Sequence, residues 1–325
     1  MTRRVALVLG GGNALGSYQA GVWQRLGEGG IEPERIVGTS VGAINGAIVA
    51  GNPPERRVER LHDFWRGAGA LWPAGETLRR SAAVLDTMIG GRAGMFGPVG
   101  PLGSWWDPDA AAASPALFDS KPLAATLARL VDFERLNATR FAAGAVELES
   151  GREMLFDTAA TRIGPDHIRA SGALLPTFPP VEVDGVAYAD GGFAQNLPLD
   201  AVLAEPGEAP LTCVAVDLTP ASSARPSTLG EAVAKAQDLT FAAQSWRTIA
   251  KWDALYAADE RLRSASVTLV RLVYRDQGEE VAGKAMDFSG ATTQARWAAG
   301  YRDAARVLAH LAEPAHGTGL RVVTC

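Results

Sequence analysis

The chain has 325 residues, 47% hydrophobic and 21% charged, with 36 glycines, 19 prolines, four histidines and two cysteines. That apolar share supports a large buried core and excludes disorder as the main state, and the length gives a prior of about two domains. A formal net charge of -5, with no run rich in Lys or Arg, excludes attraction to phosphate backbones and so argues against nucleic acid as a partner.

Cys213 sits in an apolar run and Cys325 is the last residue, so neither a disulfide framework nor a CxxC metal pair is offered. A reducing, cytoplasmic setting fits. No apolar run approaches the roughly 20 residues of a spanning helix. Residues 1–9 lack the cleavage site of a secretory signal, and we read no targeting segment.

In chain order, residues 5–9 form an unbroken apolar run that predicts a buried strand, closed by Gly10-Gly11-Gly12. Leu15, Tyr18, Val22 and Leu26 then recur at helical spacing. A second unit follows, with Ile36 and Val37 leading into Gly38-Thr39-Ser40-Val41-Gly42 and an apolar helix over residues 43–50. Two successive strand-loop-helix units predict an α/β fold, a mostly parallel sheet covered by helices.

Helices are expected at 55–65 and 76–88, followed by a Gly/Pro-rich passage from 90 to 115, in a region reaching to 119, that carries Met95, Phe96, Trp105 and Trp106. We expect its aromatics to pack on the core; the alternative is a cover over an apolar pocket. Farther on we expect a helix at 122–131, strands at 141–148 and 154–156, and a helix at 167–173. Strands near Val181 and Ala187 lead to Asp190-Gly191-Gly192. Strands at 211–216 and 267–273 flank a long helical stretch at 229–262, and an amphipathic helix at 292–311 comes last. No linker splits the chain, so residues 1–325 are expected to form one domain, with a cap-like insertion at about 53–119 and a C-terminal helical extension at about 290–325.

Gly38-Thr39-Ser40-Val41-Gly42 fits G-x-S-x-G, the nucleophile elbow, and has both the strand and the helix that the motif requires. The run from Gly10 through Asn13 to Gly16 is not a dinucleotide loop, since Leu15 stands where the third glycine would be needed, and it lacks the Gly-Lys-Ser/Thr of a phosphate loop. What remains is a row of unhindered N–H groups at a helix start, a cradle for an oxyanion. None of His62, His167, His310 and His316 has a setting that marks it as a base, although a fold could bring His310 or His316 to the elbow. Asp190, followed by Gly191 and Gly192, has the stronger setting.

Together these segments resemble the patatin-like phospholipase family. Residues 8–12 with 16–22 look like its oxyanion loop and first helix, and residues 38–43 like its elbow. Ala170-Ser171-Gly172-Ala173 with Pro176, then Asp190-Gly191-Gly192 and Asn196-Leu197-Pro198, are similar to the segment bearing its aspartate. Asp287-Phe288-Ser289 adds weaker support. The resemblance implies a three-layer α/β/α fold and a Ser-Asp dyad: Ser40 attacks an ester carbonyl and Asp190 takes its proton, with no metal or organic cofactor. The N–H groups of Gly11, Gly12 and Val41 are the candidates for the oxyanion hole. A free aspartate, with a pKa of about 3.9, is too weak a base, so Asp190 is expected to be desolvated.

The sequence departs from the family pattern at Asn13, which replaces the usual third glycine, and at Leu15, where Arg or Lys usually stands. With the negative net charge, this argues for neutral esters over anionic phospholipid and against strong anionic-membrane binding. Expected substrates are lipid or other acyl esters, with transient contact with a membrane surface as a further expectation. Acyl transfer through the same acyl-enzyme and a catalytically weak binding protein of the same fold are the alternatives. Transacylases of related fold carry His before the serine, where Thr39 stands here.

Overall fold

In the computed structural model, residues 4–67, 75–99, 115–222, 224–315 and 317–325 are described. Strand β1 (Arg4–Leu9) runs through the glycine loop into α1 (Ser17–Glu28), and β2 (Arg35–Thr39) runs through Ser40 into α2 (Val41–Ala50). Next come α3 (Pro54–Trp65), α4 (Glu76–Gly90), the short strands β3 (Gly97–Pro98) and β4 (Phe118–Asp119), α5 (Lys121–Leu130) and α6 (Phe133–Asn137). Strands β5 (Phe141–Glu147) and β6 (Glu153–Asp157), α7 (Pro165–Ser171), and strands β7 (Val181–Val183) and β8 (Val186–Asp190) carry the chain to α8 (Asp200–Leu203). The last part is β9 (Leu211–Asp217), α9 (Leu229–Ala258), α10 (Glu260–Ser264), β10 (Ser266–Val273), α11 (Gly290–Ala312) and β11 (Gly319–Thr324).

Nine strands form one sheet in the order β11-β10-β9-β1-β2-β5-β8-β7, with β6 also paired to β5. Every pairing from β11 across to β5 is parallel, whereas β6, β7 and β8 are joined antiparallel. Side chains alternate along β1. Val5, Leu7 and Leu9 join a core with Tyr18, Val22 and Ile48, while Ala6 and Val8 join another with Ile249, Trp252 and Tyr256. Helices α1, α2 and α11 therefore cover one face and α8, α9 and α10 the other, which explains why β1 reads as an unbroken apolar run. The architecture is the three-layer α/β/α sandwich.

Helices α1 and α11 cross in contact. A Cβ at Gly21 would lie 1.9 Å from the Trp297 carbonyl oxygen, and one at Gly300 would lie 2.0 Å from that of Tyr18. Only a residue without a side chain permits this approach.

Two expectations change. The stretch read as one helix over 229–262 breaks at Asp259, whose carboxylate accepts the Leu262 N–H at 3.0 Å and caps α10. After α11 the chain continues into β11, which pairs in parallel with β10 and extends the sheet, so 290–325 is not helical throughout. In the 90–119 passage, Met95 and Phe96 are buried, and Phe96 packs against Phe118, Phe178 and Phe288. Trp105, Trp106 and His316 lie outside the described residues. Among the described residues, no helix is long and apolar enough to cross a membrane.

Candidate active site

Strands β1 and β2 are parallel neighbours with Leu9 opposite Gly38, so the glycine loop and Ser40 leave the sheet side by side at its C-terminal edge. Asp190 reaches the same edge from the antiparallel side. Thr39 is paired with Gly144 on β5, and the next β5 residue, Ala145, is paired with Asp190 on β8. The register thus sets Asp190 level with Ser40, separated only by the small residues of β5.

Ser40 has φ 57° and ψ -125°, a conformation that costs a non-glycine residue about 1–3 kcal/mol. The turn is tight because Gly38 and Gly42 have no side chains. A Cβ at Gly38 would lie 2.4 Å from the backbone of Gly42, and one at Gly42 would lie 2.1 Å from the Leu9 carbonyl oxygen. The strained residue is held from both sides: its N–H donates to Ser171 Oγ at 3.0 Å, and its carbonyl accepts the Ala43 N–H at 2.9 Å.

Asp190 is 2% exposed. Its Oδ1 accepts the Gly192 N–H at 2.7 Å, while Oδ2 is buried with no hydrogen-bond partner of full geometry among the described residues. Burial pushes its pKa up to about 7; the Gly192 hydrogen bond and the nearby Ser40 hydroxyl pull it down only in part. The loop after Asp190 is clamped by Gln244 of α9, which accepts the Asn196 N–H at 2.9 Å and donates to the Gly192 carbonyl at 3.0 Å.

In the glycine loop, the Gly10 N–H donates to the Val216 carbonyl and the Gly11 N–H to the Asn196 carbonyl, both at 3.0 Å. The Gly11 N–H, one of the candidate oxyanion donors, is therefore committed to the fold. Gly12 and Val41 line the cavity beside Ser40, and the Val41 N–H stands at the start of α2. Asn13 has φ 50°, a left-handed conformation that Asn tolerates better than most residues, which is how it can stand where glycine is usual. Leu15 is 2% exposed and packs in the core, so it contributes nothing to the cavity surface. Gly191 sits against Gly144, where a Cβ would lie 2.4 Å from the carbonyl oxygen, and Gly16 packs on Val41 and Trp65.

A buried polar chain supports the loop from below. Gln19 Nε2 donates to the Gly10 carbonyl at 2.7 Å, Asn45 Nδ2 donates to Gln19 Oε1 and to the Gly16 carbonyl at 2.9 Å each, and Trp65 Nε1 donates to Asn45 Oδ1 at 2.9 Å. Sequence reasoning assigned these residues no role. Their signal was present in Gln19 and Asn45, amides on otherwise apolar helix faces. Ser171, within the 170–173 motif, is a further supporting residue, and its bond to Ser40 spans too much sequence to be read from the motif.

Ser40 and Asp190 line a cavity of about 200 Å³ with Ile44, Met95, Leu123, Phe178, Phe241 and Met286 among its apolar walls. Arg169 of α7 also lines it, its guanidinium tied to Ser120 and Asp166. None of His62, His167 and His310 does. His62 stacks on Trp297, His167 Nδ1 accepts the Gly164 N–H, and His310 pairs with Glu313.

The family model described as patatin-like phospholipase matches residues 7–203, and a second, described as patatin phospholipase, matches residues 243–316. The chain belongs to the patatin-like phospholipase family. An uncharacterized NTE family protein of Mycobacterium tuberculosis is 31% identical over 229 residues, covering 70% of this chain and 51% of the relative. The chain thus spans about half the length of the curated relatives it matches most broadly. Lysophospholipase nte1 of Aspergillus terreus is 56% identical over 48 residues, 15% of this chain and 3% of that protein. The crystal structure of VipD from Legionella pneumophila aligns at a TM-score of 0.42 and 14% identity, covering 95% of this chain and 67% of that one.

Proposed function

We propose that this member of the patatin-like phospholipase family is a serine acyl hydrolase that cleaves carboxylic esters of lipids or related acyl esters through an acyl-enzyme on Ser40. The observation that carries the reading is the pairing, in one apolar cavity, of a serine in a strained elbow with a buried carboxyl group whose pKa is near 7. A base matched to neutral pH is what a two-residue site without histidine needs.

Asp190, ionised, accepts the proton of the Ser40 hydroxyl as Oγ bonds to the ester carbonyl carbon. The oxygen of the tetrahedral intermediate takes the negative charge and receives the N–H groups of Gly12 and Val41, with the N-terminus of α2 adding its dipole. As the carbonyl re-forms, the C–O bond to the alcohol breaks and protonated Asp190 delivers the proton to the leaving oxygen. Water then repeats the cycle: Asp190 takes its proton, hydroxide adds to the acyl carbon, and the proton returns to Ser40 Oγ as the acid departs. The apolar walls match an acyl chain, and no step requires a metal or organic cofactor.

Hydrolysis of 4-nitrophenyl butyrate tests the reading. Ser40→Ala should lower kcat/KM by roughly 10³-fold or more, and Asp190→Asn by roughly 10²- to 10⁴-fold, with circular dichroism unchanged. Full activity of the Asp190→Asn protein would sink the dyad.

A further inference from the structure

The cavity that holds Ser40 continues beyond its own walls. Gln237, Gly283 and Ala285 also line a neighbouring groove of about 380 Å³, whose outer walls are Leu229, Val233 and Ala234. Along α9, Leu229, Val233, Gln237 and Phe241 follow at intervals of four, which stacks them on one helix face. At 1.5 Å per residue the stripe is about 18 Å long. Its inner end, Phe241, is a wall of the catalytic cavity. Its outer end is open to solvent, with Leu229 83% and Val233 64% exposed.

The facing wall is fixed rather than loose. Gly230 of α9 packs so closely on it that a Cβ there would lie 2.7 Å from Ala282 Cβ. Arg296 of α11 donates to the Lys284 carbonyl at 2.9 Å and to the Asp287 carbonyl at 3.0 Å. Lys284 is the charged residue of the groove, and its Nζ is occupied by Asp238 at 2.6 Å and Gln277 at 2.7 Å. What the groove offers an occupant is mainly apolar surface, lying in line with the nucleophile.

We infer that this groove binds the distal part of the substrate's acyl chain. With the ester carbonyl at Ser40, the alkyl chain passes Phe241 and Gln237 and lies along Val233 and Leu229. A polar head group would find few partners there, whereas each methylene laid on the stripe leaves water at a gain of up to about fourfold in binding. The inference rests on the acyl-hydrolase reading and names the site where chain length is sensed.

The test compares the 4-nitrophenyl esters of butyrate, octanoate and stearate in the 325-residue chain, the stearoyl chain being long enough to run the length of the stripe. Val233→Asp and Leu229→Asp, at exposed helix positions, should lower the stearate-to-butyrate ratio of kcat/KM by roughly tenfold, as expected when about two methylenes lose an apolar contact. Leu239→Asp, exposed on another face of α9, should leave the ratio unchanged. Calorimetric binding of stearate to Ser40→Ala reads the groove without hydrolysis, so it separates failure of this inference from failure of the hydrolase reading. Val233→Asp should weaken that binding by a similar factor. An unchanged ratio in both groove variants, an equal fall in Leu239→Asp, or no stearate binding by Ser40→Ala would overturn the assignment.

Discussion

The main-chain N–H of Ser40 donates to the hydroxyl of Ser171, at 3.0 Å and across 131 positions of sequence. Ser171 is completely buried at the end of α7, and its hydroxyl pairs a donor that the strained elbow would otherwise strand. Ser171→Ala should cost about 1–3 kcal/mol of stability, the price of a buried unpaired donor. Because the nucleophile then loses its orientation, kcat should fall by up to about 10²-fold while KM moves little. Urea unfolding and steady-state kinetics check both. Equal changes in kcat and KM, or none, would assign Ser171 to packing alone.

Asp190 ties activity to pH. The carboxyl must be ionised to accept the serine proton, so kcat/KM on a neutral ester should rise with pH through a midpoint near 7 and level off above it. A rate profile over about pH 5 to about pH 9 reads this directly. A flat profile, or a midpoint near the ordinary aspartate value, would show that Asp190 is not the base.

The same burial makes Asp190 a cost to the fold. Its folded pKa is about 7 against an ordinary 3.8, so between these values the native state holds a proton that the unfolded chain has released. Stability from this group therefore falls as pH rises from about 4 to about 7 and is constant beyond, by at most about 4 kcal/mol. Asp190→Asn keeps an oxygen for the Gly192 N–H and lacks the buried charge. It should melt above the wild-type protein at pH 8, with the gap shrinking towards pH 4. A gap that does not depend on pH would contradict the linkage.

Asn45 joins α2 to the glycine loop through Gln19 and to α3 through Trp65. Asn45→Leu leaves the Trp65 N–H, the Gly16 carbonyl and the Gln19 amide oxygen without this partner, a loss of about 3 kcal/mol or more. Activity should fall through kcat, since the Gly10 carbonyl held by Gln19 sets the path of the loop. Denaturant midpoints and kcat together test this, and an unchanged midpoint would remove the network from the account.

Much of the fold was legible because its signals are local. Residues 5–9 read as a buried strand for a reason the structure supplies: both faces of β1 are covered. Strand β11 was not legible, since Arg321 and its short apolar neighbours gain meaning only through pairing with β10, about 50 residues away. The break at Asp259 was hidden in an alanine-rich stretch whose helical signal continues on both sides. At the candidate site, the elbow could be read from its two glycines, whereas the commitment of the Gly11 N–H depends on Asn196, far away in sequence. The same holds for Ser171 and Gln244, whose hydrogen bonds become visible only when α7 and α9 are set against the edge of the sheet.

The central claim is that Ser40 is a nucleophile activated without histidine. A fluorophosphonate probe followed by peptide mass spectrometry tests it most directly. The account predicts one adduct, on Ser40, which disappears in Ser40→Ala and forms much more slowly in Asp190→Asn. No adduct under conditions where a control serine hydrolase is labelled, or an adduct on another residue, would contradict it.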